Sequence, residues 1–169
     1  MNGIEVANKI KDVLESVEGW TGKIYVYIPD VKSDQEYLDA LVDNSTGRVD
    51  AWFIRRSGFR SIKYGEGVRI PTNYRVKQHT FSIRGWQSIY DRHSGKSLED
   101  ATSEIDFQDR CDKIEETLAK TYSLGVSTHD VVVAGVNFTI NHDMFSKVLC
   151  HYVNISLTVE ERLCTNYEL

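Results

Sequence analysis

Ser103-Glu-Ile-Asp-Phe-Gln-Asp-Arg-Cys-Asp-Lys-Ile-Glu-Glu-Thr-Leu-Ala-Lys-Thr-Tyr122 is the stretch whose reading decides the fold. Phe107, Cys111, Ile114, Leu118 and Tyr122 recur at steps of four, three, four and four, which draws one narrow apolar stripe along a helix. Nearly every other position is charged or polar, so only one face can be buried. Asp106 and Arg110, Asp109 and Lys113, and Glu116 and Lys120 are acid-before-base pairs four apart, the favourable order on a solvated face. Thr102 or Ser103 can cap the first turn. Twenty helical residues span roughly 30 Å. A one-sided helix of that length needs a platform, and the extended segments on either side supply it.

Working outward, residues 131–140 read as a strand with Gly135 at a bulge, Asn141-His142-Asp143 as a turn, and residues 147–159 as the most regular strand of the chain. In the last of these, Leu149, His151, Val153, Ile155, Leu157 and Val159 alternate with Cys150, Tyr152, Asn154, Ser156 and Thr158, the period of a sheet covered on one side. The two strands are expected to form a hairpin. Residues 74–90 are extended, with His79, Phe81 and Ile83 on one face and a bulge or bend expected at Gly85. Residues 49–55 form a strand with Trp52 and Ile54 on one face and Ala51, Phe53 and Arg55 on the other. Residues 4–17 form an amphipathic helix ended by Gly19, 24–28 a short strand and 36–42 a short helical turn. The fold class is therefore α+β. A mostly antiparallel or mixed sheet is packed on one face by the N-terminal helix and the long central helix.

Length favours one domain over residues 1–169, and an apolar fraction of 41% with only two prolines provides a core. The net charge of −5 is unevenly spread. Between Arg55 and Arg84 lie eight cations against Glu66 alone, a local balance of +7 that leaves −12 on the rest. Residues 57–73 are punctuated by Gly58, Gly65, Gly67, Pro71 and Asn73, which predicts a long basic excursion, about 56–73, or an irregular hairpin. Cys111, Cys150 and Cys164 have no paired spacing, so they suggest a reducing compartment without a disulfide framework. The N-terminus lacks the pattern of a signal peptide, and no run approaches the ~20 apolar residues of a membrane span.

Catalytic signatures are few. Gly65-Glu66-Gly67 has Ile70 where a phosphate loop needs glycine, and Gly95-Lys96-Ser97 lacks the upstream glycine and the strand that a nucleotide loop requires. Cys150 and His151 are neighbours on a strand and so face opposite ways. His79, His93, His129 and His142 have no ligand spacing with the cysteines, and Asp109, Asp112 and Glu116 read as a solvated face. No catalytic residue, cofactor or metal site is assigned. The basic segment with Trp52, Phe53, Phe59, Tyr64 and Tyr74 interleaved suits a subunit contact, a plain solvated loop or a single nucleic-acid strand, and the overall acidity counts against the last.

The order of these pieces resembles the tail terminator, or tail completion, proteins of long-tailed bacteriophages. The resemblance is carried by the N-terminal helix, the strands leading into 55–73, the extended 74–90, the helix with Phe107, Asp112, Ile114 and Leu118, and the closing Cys150-His-Tyr-Val-Asn-Ile-Ser-Leu-Thr-Val-Glu-Glu161 strand. It covers nearly the whole chain, and neighbouring neck and head–tail connector proteins share the size. It implies a structural virion protein without catalysis or cofactor. Such a protein forms a six-fold ring on the tail tube, stops tube growth and presents a surface to the head connector. It is made in the host cytoplasm, is monomeric in solution if the ring forms only on the tube, and has no membrane partner. DNA contact is not required. Arg55, Arg56, Arg60, Lys63 and Arg69 are the residues expected to meet a neighbouring subunit or the tube. The alternative from another class is a small nucleic-acid-binding module using residues 52–84.

Overall fold

The computed structural model describes residues 2–27, 33–43, 48–63, 74–89, 102–121, 123–124, 131–145 and 148–164. Helix α1 (Gly3–Glu15) starts on Asn2, whose side chain accepts from the Ile4 and Glu5 amides while Glu5 Oε2 accepts from the Asn2 amide at 2.7 Å. This reciprocal pair satisfies donors that a helix start leaves open. Strand β1 (Lys23–Tyr25), helix α2 (Asp34–Leu41), strand β2 (Val42–Asp43), strands β3 (Arg48–Lys63) and β4 (Tyr74–Ser88), helix α3 (Thr102–Lys120), and strands β5 (Val131–Phe145) and β6 (Val148–Cys164) follow.

The fold is α+β, as the patterning requires. Five strands form a mixed sheet in the order β1-β3-β4-β6-β5, with β1 parallel to β3 and every other pair antiparallel. The short β2 pairs with the start of β3. On the helix-bearing face, Val6, Ile10, Val13 and Leu14 of α1 meet Phe107, Cys111, Ile114 and Leu118 of α3 over Trp52, Ile54, Phe81, Ile83, Val153, Ile155, Leu157 and Val159. The α3 stripe read from the sequence is this buried row as far as Leu118, and Tyr122 lies outside the described residues.

The outer face is not uniformly wet. At one end a second cluster joins Leu41, Val49, Ala51, Phe53, Phe145 and Cys150, with Tyr25, Tyr37 and Trp86 packed around it. Helix α2 lies here. Lys23 Nζ donates to the carbonyls of Ala40 and Val42 at 3.0 and 2.8 Å, and Tyr25 Oη donates to Ala40 O at 2.8 Å, satisfying acceptors left open at the helix end. Among the described residues, α1 and α3 cover the middle of one face and leave Phe59, Ile140 and Met144 exposed there, while α2 covers one end of the other.

Four sequence expectations need correction. The strand expected to end at Arg55 runs on to Lys63 and pairs with β4 to Lys63↔Arg75, so over these residues the irregular hairpin holds and the long excursion does not. Residues 64–73 lie outside the described residues. The irregularity in this hairpin is at Ser57, between Arg56↔Phe81 and Gly58↔Thr80, and not at Gly85, which pairs in register on both sides. Asn141-His142-Asp143 is not a turn but the continuation of β5, paired with β6 as far as Phe145↔Val148. Thr102 and Ser103, expected to cap the helix, both lie within α3, and the Ser103 hydroxyl meets His151. The bulge expected near Gly135 is present, between Val133 and Gly135.

Glycine at 85 has a packing reason. A Cβ there would run into the six-membered ring of Trp52, which is fully buried above it. Gly85→Ala is expected to destabilise the protein by about 1–3 kcal/mol through overpacking, read as a lower urea midpoint. Gly58→Ala, which meets nothing within 4 Å and is not at positive φ, serves as the near-neutral control in the same titration.

Candidate assembly surface

The extra residue at Ser57 sets which way the β3 cations point. Residues paired directly across strands share a face, so Arg55, opposite Ser82, and Arg60, opposite Gln78, both lie on the outer face. Arg60 Nε donates to Gln78 Oε1 at 2.6 Å, and Gln78 Nε2 donates to Glu160 Oε1 at 3.0 Å, a polar ladder across β3, β4 and β6. Arg56, opposite Phe81, points to the helix-bearing side. Its guanidinium stacks over the Phe59 ring, 4.5 Å from the centroid, and lies against Gly3 at the start of α1. Arg55, Arg56 and Arg60 are all exposed, and so is Phe59, at 61%. The backbone of Lys63 ends β3, while its side chain and Arg69 lie outside the described residues. The predicted set is therefore not one cluster. It is an edge strand with cations on both sides and one exposed aromatic ring.

Of the aromatic residues expected to interleave with these cations, Trp52 and Phe53 are buried and Phe59 is exposed, while the side chains of Tyr64 and Tyr74 lie outside the described residues. Trp52 is fully buried, and Phe53 stacks on Tyr25 and meets Trp86 edge-on within the outer cluster. Across the sheet, α1 and α3 present exposed Glu5, Asp12, Glu15, Asp106, Asp109, Asp112, Glu115 and Glu116. The chain's charge asymmetry is thus spatial, with a basic sheet edge beside an acidic helical layer. Glu116 and Lys120 pair at 3.1 Å, but Arg110 reaches across to Asp50 at 2.8 Å, fastening α3 to β3.

Other reactive side chains are engaged in packing. Cys150 and His151 do face opposite ways. Cys150 sits in the outer cluster, where burial pushes its thiol up to about 11, and burial pushes Cys111 on the α3 stripe up to about 12. Neither is a nucleophile at neutral pH. His151 Nε2 is 2.9 Å from Ser103 Oγ, with Phe107 stacked at 5.3 Å and His142 at 5.2 Å. Sequence reasoning missed this serine–histidine contact. Both partners are buried, and the contact ties the start of α3 to β6. Among the described residues, no three His, Cys, Asp or Glu side chains converge as a metal site, and no helix is long and apolar enough to cross a membrane.

One cleft of about 270 Å³ opens between the α1–β1 connection and α3, lined by Glu18, Trp20, Gln87, Asp106, Asp109 and Lys113. Gln87 is 7% exposed, and its Oε1 has no hydrogen-bond partner among the described residues. Comparison with known proteins supplies no kinship: no family model matches the sequence, and no curated protein matches it.

The second contact missed at the sequence level is His79, fully buried, with Nε2 3.5 Å from Glu161 Oε2. Burial lowers the His79 pKa, Lys77 and Arg56 add to this, and Glu161 opposes it across a separation too long for a strong hydrogen bond. The unfolded chain binds this proton near the ordinary imidazole value and the folded chain only below it. Stability is then full above that value and falls as pH drops beneath it, by at most about 1.4 kcal/mol per pH unit for one such group. Thermal melts between pH 7.5 and 5.5 should show this loss, and His79→Gln should flatten the His79 part of the slope. An unchanged slope in the variant would assign the pH dependence to other groups.

Proposed function

We propose that this chain is a structural subunit that acts by docking, as a ring-forming tail terminator of a long-tailed bacteriophage. In this reading copies assemble on the last ring of the tail tube, end tube polymerisation and offer a joining surface to the head connector. The protein works in the virion after assembly in the host cytoplasm and catalyses nothing. The observation that supports this best is the β3 edge, which exposes Arg55 and Arg60 on one face and, on the other, Arg56 stacked over an exposed Phe59. Arginine and aromatic rings are the groups enriched at protein–protein contacts. The acidic helices give the same chain a complementary sign elsewhere, which favours heterologous contacts between copies or with a second protein. A nucleic-acid role draws less support, because Trp52 and Phe53 are in the core and cannot stack on bases.

The test is the triple reversal Arg55→Glu, Arg56→Glu and Arg60→Glu, with the fold checked by circular dichroism. Mass in solution is measured alone and with purified tail tube, and tail length is measured in particles carrying the variant. Association at least about tenfold weaker, equivalent to ~1.4 kcal/mol, and tails of irregular length are expected. Wild-type association and wild-type tail length would refute the proposal. Binding to a connector protein but not to the tube would move the protein to the neighbouring neck position.

A further inference from the structure

The two margins of the sheet differ in how they are guarded. A strand at a margin exposes unpaired N–H and C=O groups, and proteins blunt such edges with lysine, arginine, proline or bulges. Strand β5 is the margin beside β6. From residue 135 to residue 145 it pairs regularly with β6, and among the described residues nothing pairs on its other side. These eleven positions contain no Lys, Arg or Pro, and Asp143 is their one acidic side chain. The opposite margin is β3. Strand β1 covers it only at residues 51–53, and among the described residues no strand pairs with the outer side of 54–63. That margin is guarded by Arg55, Arg56 and Arg60.

The side chains match face by face. On the outer face β5 presents Asn137, Thr139, Asn141 and Asp143, all exposed, and β3 presents Arg55 and Arg60. On the helix-bearing face β5 exposes Ile140 at 46% and Met144 at 53%, and β3 exposes Phe59 at 61%. Joining the two margins with the faces continuous sets arginines among amides, a hydroxyl and a carboxylate, and sets an aromatic ring against two apolar side chains. We infer that the β5 margin receives the β3 margin of a second copy of this chain, so that the sheet continues from one subunit to the next. The inference rests on the self-assembly part of the proposed function and adds the receiving surface. The contact joins unlike surfaces, so it builds rings or open arrays and not two-fold dimers. Opposite character at the two margins also disfavours β3 meeting β3, where six arginines would face one another.

Two variants test it. Asn137→Lys with Asn141→Lys makes the receiving margin basic, and Arg55→Glu with Arg60→Glu makes the entering margin acidic. All four positions are outside the core, and thermal melts confirm folding. Sedimentation velocity at low ionic strength should show wild-type self-association, and each variant alone should associate at least about tenfold more weakly. An equimolar mixture should recover association, because each contact then pairs a basic margin with a neutral or acidic one. Hydrogen exchange should slow in both 135–145 and 54–63 on assembly. Failure of the mixture to recover overturns the inference. So does protection confined to β5, the mark of β5 pairing with β5, and so does a wild type that stays monomeric up to about 1 mM. A monomeric wild type that still binds the tail tube sinks this inference and leaves tube docking standing. Intact self-association without tube binding does the reverse.

Discussion

The structure turns on the burial of one indole. Trp52 leaves β3 toward the helices and lies over Gly85 of β4, where only a residue without a side chain leaves room. Trp20 meets it at 5.0 Å and Phe107 of α3 at 6.4 Å. Its Nε1 donates to Asp50 Oδ1 at 3.0 Å, and Asp50 in turn accepts from Arg110 of α3. One side chain therefore touches the sheet, the α1–β1 connection and the central helix, and its polar atom is satisfied where burial would otherwise be costly.

With the helices fixed on one face, the other face divides. Aromatic and aliphatic side chains under α2 make one half dry. Ser82, Asn154, Ser156 and Thr158 leave the other half polar, with Ser82 Oγ 2.8 Å from Asn154 Oδ1 across β4 and β6. Acidic groups gather on α1 and α3 and arginines on the β3 margin. A surface so divided in charge and polarity suits contacts that must have one orientation, because a rotated partner meets like charge or a mismatched patch.

Much of this architecture could be read from periodicity. The α3 stripe, the Trp52 and Ile54 face, and the alternation of Val153, Ile155, Leu157 and Val159 are local patterns, and local patterns report burial directly. The places that misled share a cause. Gly85 has the local signature of a bulge, but its role is set by a ring thirty-three residues away in sequence. Asn141-His142-Asp143 has turn composition, but it lies on a margin where polar side chains are tolerated because one side of the strand is solvated. Leu149 fits the buried alternation and is 43% exposed, because it stands at the end of β6 beyond the helical layer. The candidate surface was readable as charge and not as geometry. The cations were evident, but whether Arg55 and Arg56 share a side depends on strand pairing, and which face Arg60 takes depends on one inserted residue. Contacts such as Ser103 with His151 and His79 with Glu161 join residues 48 and 82 positions apart and leave no local trace.

Strand β4 has partners on both sides along almost its whole length, from Arg75 to Gln87. Bending it would require loosening two ladders together, so it behaves as a beam, stiff along its axis. A load applied at the Lys63↔Arg75 end would have to strain both ladders before it could bend the strand on the way to the aromatic cluster at the other end.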